Sequence, residues 1–217
     1  NDSAVLPPPM PPTPLTRPER SMVLRGMDLY AAGWFPMADE DGEVQWVQPH
    51  QRAVVPLDER FHISRSLRKT MRKAPFIVST DVAFHRVIRH CATAPREEGG
   101  TWLVDEIIEL FELFHRAGAA HSVEVWRQGP EGVELVGGVY GLAVGRVFCA
   151  ESMFCLPQRG GTDASKVALV VLRDLVLRLG FCLLDAQIIN PHTVQFGTFE
   201  LDRDTYLAQL TGEAHAA

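Results

Sequence analysis

The sequence has few of the features that announce a cofactor, a metal or a membrane. Its 217 residues include only four cysteines, Cys91, Cys149, Cys155 and Cys182. They form no CxxC pair and no zinc spacing, so a structural zinc is not expected and reduced thiols of a cytoplasmic protein are. No apolar run approaches the ~20 residues that a membrane helix needs. The N-terminus has no basic segment followed by an apolar one, so no secretory signal is expected. The eight histidines form no HExxH pair and no metal triad by spacing. Positive charge is not in excess: 21 Lys and Arg stand against 27 Asp and Glu, a net charge of −6. That disfavours a protein that coats nucleic acid but leaves room for a local basic patch.

What is present is ordinary globular content, 46% hydrophobic and 22% charged, enough for one sizeable core and a small appended domain. Prolines crowd residues 1–20 (Pro7-Pro-Pro9, Pro11-Pro12, Pro14, Pro18), which reads as a disordered or extended arm. Residues 21–50 read as a small unit. It has a helix over 23–32, then Gly33-Trp-Phe-Pro36, a turn at Asp41-Gly42 and Trp46-Val-Gln-Pro49. Residues 51–217 read as the main domain.

Within that domain 53–56 and 76–80 read as strands. Asp81 is placed to cap a helix running through Cys91, and 102–117 reads as a second helix ended by Gly118. Three strands follow as a meander, 122–127, 134–144 and 147–152, turning at 129–132 and 145–146. The stretch 163–179 is apolar nearly all round and reads as a buried helix stopped by Gly180. A strand over 181–187, a short helix over 192–196, a strand over 198–201 and a helix over 203–210 complete the chain. From residue 76 the order is β-α-α-β-β-β-α-β-α-β, the strand and helix order of GNAT acyltransferases. The expected fold is therefore α+β, a GNAT-like mixed sheet flanked by helices with a small N-terminal domain.

Three polar residues stand out at strand ends. Asp185 and Gln187 are two apart on one strand, so both side chains face the same way. Glu151 ends the last meander strand, where a GNAT sheet splays open. Such a set could hold an amine and present an activated acyl group to it. Arg65, Arg68, Lys69, Arg72 and Lys73 recur at helical spacings of three and four and give one basic face. His192 could reach the Asp185 strand, although a capping role serves it equally well.

Eight segments in order resemble the leucyl/phenylalanyl-tRNA–protein transferase family. They are Gly33-Trp-Phe-Pro36, His62-Ile-Ser-Arg-Ser-Leu-Arg-Lys69, Gly100-Thr-Trp102, Ala120-His-Ser-Val-Glu-Val-Trp126, Leu135-Val-Gly-Gly-Val-Tyr-Gly141, Glu151-Ser-Met-Phe154, Ala164-Ser-Lys166 and Leu184-Asp-Ala-Gln187. The resemblance runs from about residue 22 to residue 210. It implies transfer of Leu or Phe from charged tRNA to the N-terminal amine of proteins beginning with Arg or Lys, marking them for degradation by the N-degron pathway. It implies no metal or coenzyme, no membrane partner, a cytoplasmic location and a monomer.

By the same resemblance Asp185 and Gln187 act at the acceptor amine; Glu151, a second carboxylate there, suits a cationic acceptor side chain, or else forms a structural salt bridge to Lys166. An aminoacyl pocket falls on Val139, Phe148, Leu169, Leu172 and Leu184. Trp102 and Met37 fall near the terminal adenosine, Trp46 supports the same mouth or merely joins the two domains, and the basic helix, which alone reads equally as a solvated face, would hold tRNA phosphates. Read bare, the five pocket positions are simply core. The chain also departs from the family. Met37 replaces a tryptophan, Val139 and Leu172 are small for their positions, the Gly-rich opening is missing, and the loop over 155–162 is a few residues longer than the family's.

Two other readings remain open at this stage. An acyl-CoA N-acyltransferase would need a glycine-rich turn that cradles pyrophosphate, and Gln158-Arg-Gly-Gly161-Thr-Asp163 is a near miss with a carboxylate where a small residue belongs. A non-catalytic tRNA- or degron-binding protein would not need the Asp185/Gln187 pair.

Overall fold

The computed structural model describes residues 6–9, 13–93 and 102–212. Helix α1 (Arg17–Ala31) opens the described fold, starting well before the hydrophobic pattern does. Its start is fixed by a capping box. The Thr16 hydroxyl accepts from the Glu19 backbone N–H, and the Glu19 carboxylate accepts from that of Thr16. Pro18 fits the first turn, where an N–H has no partner anyway. Arg116 donates to the carbonyls of Thr13 and Pro14 and pairs with Glu19 at 2.8 Å. The expected disordered arm is thus ordered from residue 13 onward; residues 1–5 and 10–12 lie outside the described residues.

Strands β1 (Phe35–Ala38) and β2 (Val44–Val47) form a hairpin that the sequence pattern did not reveal. The next elements are β3 (Gln51–Val55), α2 (Arg65–Lys73), β4 (Phe76–Thr80), α3 (Phe84–Thr93) and α4 (Asp105–Arg116). Strands β5 (Ala120–Gly129), β6 (Gly132–Val144) and β7 (Val147–Cys155) make the expected meander, followed by a 3-10 turn, Pro157–Arg159. The chain then runs through α5 (Ala164–Arg178), β8 (Leu183–Gln187), α6 (Pro191–Val194), β9 (Phe199–Asp202) and α7 (Arg203–Thr211).

Two local expectations are corrected. Asp81 does not cap α3: its backbone is left-handed (φ 57°), and its carboxylate accepts from the Ser122 N–H and meets His121. The buried Glu124 carboxylate instead accepts from the Ala83 N–H at the start of that helix. Helix α5 is buried along its first part, but Leu177 and Leu179 are exposed.

The main sheet has seven strands in the order β4-β5-β6-β7-β8-β3-β9. All neighbours are antiparallel except β7 and β8. A parallel pair needs a crossover, and α5 supplies it. Each face of the sheet carries its own core. Residues of α1, α3 and α4 pack on one, and those of α5 with Leu67 of α2 on the other. This is the α+β, GNAT-like mixed sheet that the element order implied.

The glycines of Leu135-Val-Gly-Gly-Val-Tyr-Gly141 have a packing reason. A Cβ on Gly137 would collide with Ala164, the first residue of α5, and one on Gly141 with the Cys149 carbonyl of β7. Backbone cannot step aside as a flexible side chain can. Gly137→Ala and Gly141→Ala should each cost about 1–3 kcal/mol as overpacking. Thermal melting of the two variants should show this; unchanged melting temperatures would mean that β6 and its neighbours sit further apart than described.

Candidate active site

Strands β7 and β8 are paired only at Val147↔Leu183, Phe148↔Leu184 and Cys149↔Asp185. Beyond that β7 runs on to Cys155 while β8 stops at Gln187, so the sheet splits. Glu151 and Gln187 stand at the mouth of the split, 8% and 7% exposed. The Gln187 amide bridges it, donating through Nε2 to Glu151 Oε2 at 2.6 Å. The Tyr30 hydroxyl donates to Oε1 at 2.9 Å.

Burial, reinforced by the Asp185 charge, pushes the Glu151 carboxyl up to about 8, against the opposing pull of the Gln187 and Tyr30 hydrogen bonds. It is a carboxylic acid poised at the titration range of an α-amino group, about 8.

Asp185 has different surroundings. It is 0% exposed and ion-paired with Arg52, itself 2% exposed. Arg52 donates through Nε at 3.0 and 3.1 Å and through Nη2 at 2.7 Å. The Tyr206 hydroxyl donates to Oδ2 at 2.8 Å, and the Gln187 backbone N–H to Oδ1 at 2.7 Å. A third Arg52 nitrogen, Nη1, donates to the Gly33 carbonyl, and the rings of Phe35 and Tyr206 face the guanidinium at 4.7 and 4.4 Å. Burial alone would depress the Arg52 guanidinium, but the Asp185 charge outweighs it and holds the cation.

Gln187 is one of only three non-glycine residues at positive φ (62°) among those described, and the strand pairing shifts register beside it, between Ala53 and Val54. A long side chain in the left-handed region is strained unless its surroundings enforce it. The Asp185 hydrogen bond to its N–H is that enforcement. Asp185 and Gln187 are two apart on β8, but the register shift and the left-handed Gln187 backbone break the regular alternation between them, and only Gln187 reaches the split.

The remaining expected residues fall into three groups. Val139, Phe148, Leu169, Leu172 and Leu184 are all buried in the core under α5, on the face opposite Tyr30. Met37, Trp46 and Trp102 are half-buried against the other core. They gather on one wall: the Ala38 N–H donates to the Trp102 carbonyl at 3.1 Å, and Trp46 meets the Tyr30 ring edge-on at 5.9 Å. Gly100 and Thr101 of their segment lie outside the described residues. Arg65, Arg68, Lys69, Arg72 and Lys73 are exposed on α2, which Leu67 anchors. His192 is exposed on α6 and lies outside the Asp185 and Glu151 hydrogen-bond groups. Among the described residues no group of three or more His, Cys, Asp or Glu could hold a metal ion.

Sequence reasoning missed Arg52, Tyr30 and Tyr206. Arg52 left one signal: it opens the apolar run Arg52-Ala-Val-Val55, and a charge in a buried strand needs a partner. The tyrosines left none.

Fold and site together define a GNAT-like transferase. The crystal structure of FemX superposes with a TM-score of 0.59, covering 85% of this chain and 69% of that one at 11% identity, a likeness of fold alone. The sequence matches the family described as leucyl/phenylalanyl-tRNA protein transferase over residues 54–211, and that family's N-terminal domain over residues 27–50. Relatives named leucyl/phenylalanyl-tRNA–protein transferase include one from Chlorobaculum parvum, 48% identical and covering 83% of this chain and 89% of that protein. Another, from Herpetosiphon aurantiacus, is 45% identical and covers 82% of this chain and 86% of its own. The chain belongs to the leucyl/phenylalanyl-tRNA–protein transferase family, a family of aminoacyltransferases.

Two stability predictions follow from this geometry. Arg52→Ala leaves a fully buried carboxylate without its counter-ion, and should cost about 3–5 kcal/mol in chemical denaturation; a loss under 1 kcal/mol would show that the pair is solvated. Glu151 keeps its proton in the folded chain up to about 8, whereas the unfolded chain loses it near the ordinary 4.5. Between those values the folded state binds more protons, so its stability falls as pH rises, by up to ~1.4 kcal/mol per unit. Glu151→Gln should flatten that decline, and parallel pH profiles for the two proteins would show that Glu151 is ionised throughout.

Proposed function

We propose that this protein transfers leucine or phenylalanine from its charged tRNA to the N-terminal amine of proteins beginning with Arg or Lys. We read it as a cytoplasmic monomer that uses no metal or coenzyme and whose products enter the N-degron pathway. No helix among the described residues is long and apolar enough to cross a membrane. The observation that carries the reading is the Glu151–Gln187 pair bridging the split, in a chain of this family.

The donor is an aminoacyl ester and needs no further activation. The acceptor nitrogen attacks its carbonyl carbon. The C–N bond forms, the C–O bond to the terminal ribose breaks, and the ribose hydroxyl leaves with a proton. The amine must be neutral to attack, and its conjugate acid titrates at about 8. Glu151 is matched to that value and takes the proton. An Arg or Lys side chain beside it favours its charged form, so the acceptor that docks also readies the base. Gln187 then turns its amide to the ester or the amine.

The expectation for Asp185 is that it holds the acceptor amine and draws off its proton, directly or through water. Its oxygens are taken up by Arg52, Tyr206 and the Gln187 N–H, so we assign it to positioning: it holds Gln187 in its strained conformation. A donor entering the split presents its side chain to the α5 face, where the five apolar residues lie, and its adenosine to the wall of Met37, Trp46 and Trp102. Exposed α2 then faces the tRNA phosphates.

The coenzyme A reading loses ground on geometry. Asp163 stands at the start of α5 with its carboxylate on Lys166 at 2.8 Å and within reach of Thr70, where a pyrophosphate would need bare backbone amides.

The test is transfer of labelled Leu and Phe from charged tRNA to peptides beginning with Arg, Lys, Asp or Ala. Label should reach the Arg and Lys peptides only. Glu151→Gln should lower kcat/KM by ~10²–10⁴ and remove the rise in rate as pH approaches 8. Gln187→Ala should lower kcat at unchanged thermal stability. Label on the Asp peptide would sink the acceptor assignment. No label on any peptide, with tRNA still bound, would make this a binding protein. Asp185→Ala does not discriminate, because it also breaks the buried ion pair.

A further inference from the structure

The long loop after β7 carries a second basic surface beyond α2. Its last 3-10 residue is Arg159, exposed, followed by Gly160 in the left-handed conformation. The Arg127 guanidinium of β5 lies directly over Gly160, filling the space a Cβ would occupy. On the other side of the loop stands His90 of α3, stacked on Phe154 of β7 at 4.6 Å. Arg86, one helical turn before His90, is exposed and reaches over the buried Trp126 ring at 5.3 Å. Burial and the nearby charges of Arg86 and Arg159 depress the His90 imidazole, as a gathering of cations should.

None of Arg86, Arg127 and Arg159 forms an ion pair among the described residues. Glu134 faces Arg127 across the β5–β6 ladder, but its carboxylate lies along Gly129. In a chain of net charge −6, these are three arginines with no ion pair among the described residues; Arg127 lies over Gly160, next to Arg159, and Arg86 and Arg159 both lie near His90.

The cluster is continuous with α2. That helix ends at Lys73, and three residues later Phe76 pairs with Arg127. Thr70 of α2 reaches Asp163, just past the same loop. It is also tied to the site: Phe154 is three residues beyond Glu151 on β7, about 10 Å at strand rise. From Arg127 to the β7 end spans two strand spacings, again about 10 Å. The path from α2 to α3 thus has the scale of a few phosphates of a nucleic-acid strand, and passes one strand-length from the reacting centre.

We propose that Arg86, Arg127 and Arg159 form a second phosphate-binding surface that extends the α2 contact and grips the tRNA body away from its aminoacylated end. The inference rests on the proposed use of charged tRNA. The guanidiniums bind phosphate oxygens, bidentate where geometry allows, and read no bases. The loop over 155–162 then has a use: it carries Arg159 beside Gly160, over which Arg127 lies, and near His90 and its neighbour Arg86.

The test replaces all three arginines by Gln, and separately by Glu, in the full chain. Binding of full-length tRNA is measured against salt concentration. Transfer is measured with two donors, charged tRNA and an aminoacyl-adenosine too short to reach the arc. The Gln variant should bind tRNA at least tenfold more weakly, with a salt slope shallower by about 2–3, since each lost contact removes ~0.7–0.9. Its rate with the short donor should match wild type, which also shows that the site is folded. Wild-type affinity and slope in both variants would overturn the surface while leaving the donor reading intact. Failure of wild type itself to use either donor would overturn the donor reading and the surface together.

Discussion

The Arg52–Asp185 ion pair is the interaction on which the site depends. Two charges removed from water gain little net stability unless every remaining donor and acceptor is used. Here both carboxylate oxygens and all three guanidinium nitrogens are engaged: Arg52 donates to Asp185 and Gly33, and Asp185 accepts also from Tyr206 and the Gln187 backbone. One salt bridge thereby ties β3, β8, α7 and the turn after α1. Its benefit is geometric. It forces Gln187 into a conformation that a free strand end would not adopt, and so aims the amide across the split at Glu151.

That arrangement separates two carboxylates by environment. Asp185 meets a fixed cation and stays an anion, whereas Glu151 meets only a phenol and an amide, and burial raises it to about 8. The anion's field contributes to the raising. A structural group thus tunes a reactive one without touching it, and the same residue positions Gln187. Mutating Asp185 would disturb stability, backbone conformation and the Glu151 titration at once. Loss of activity in such a variant is therefore poor evidence that Asp185 touches substrate.

The element order, the meander, the buried crossover helix and the basic face of α2 were legible because each leaves a periodic pattern: alternation, apolar spacing, or charge at three and four. The hairpin over residues 35–47 was not, since its strands are four residues each and half-buried. The start of α1 was hidden by prolines, although their crowding gives way at Thr16 to a capping box ending at Glu19. Glu151 and Gln187 could be placed at a strand end from sequence. Tyr30, the partner of Glu151, and Arg52, the partner of Asp185, are 121 and 133 positions away, and no local pattern encodes a contact at that separation. The arginines of the second basic surface were illegible for the same reason: they come from β5, α3 and the loop after β7, and only the fold assembles them.

On the proposed function, the position of the split lets one site serve two large substrates. A parallel pair that separates after three rungs leaves backbone groups of β7 and β8 unpaired on facing edges, and such groups seek partners. A peptide-like acceptor or an aminoacyl ester can supply them. The carboxylates open to the α1 face and the apolar residues to the α5 face, so chemistry and side-chain selection approach the split from opposite sides of one sheet. Substrates held that way need not compete for the same wall. The demand on the protein is then orientation at a single point, the Gln187 amide, and the buried ion pair beneath it supplies that rigidity.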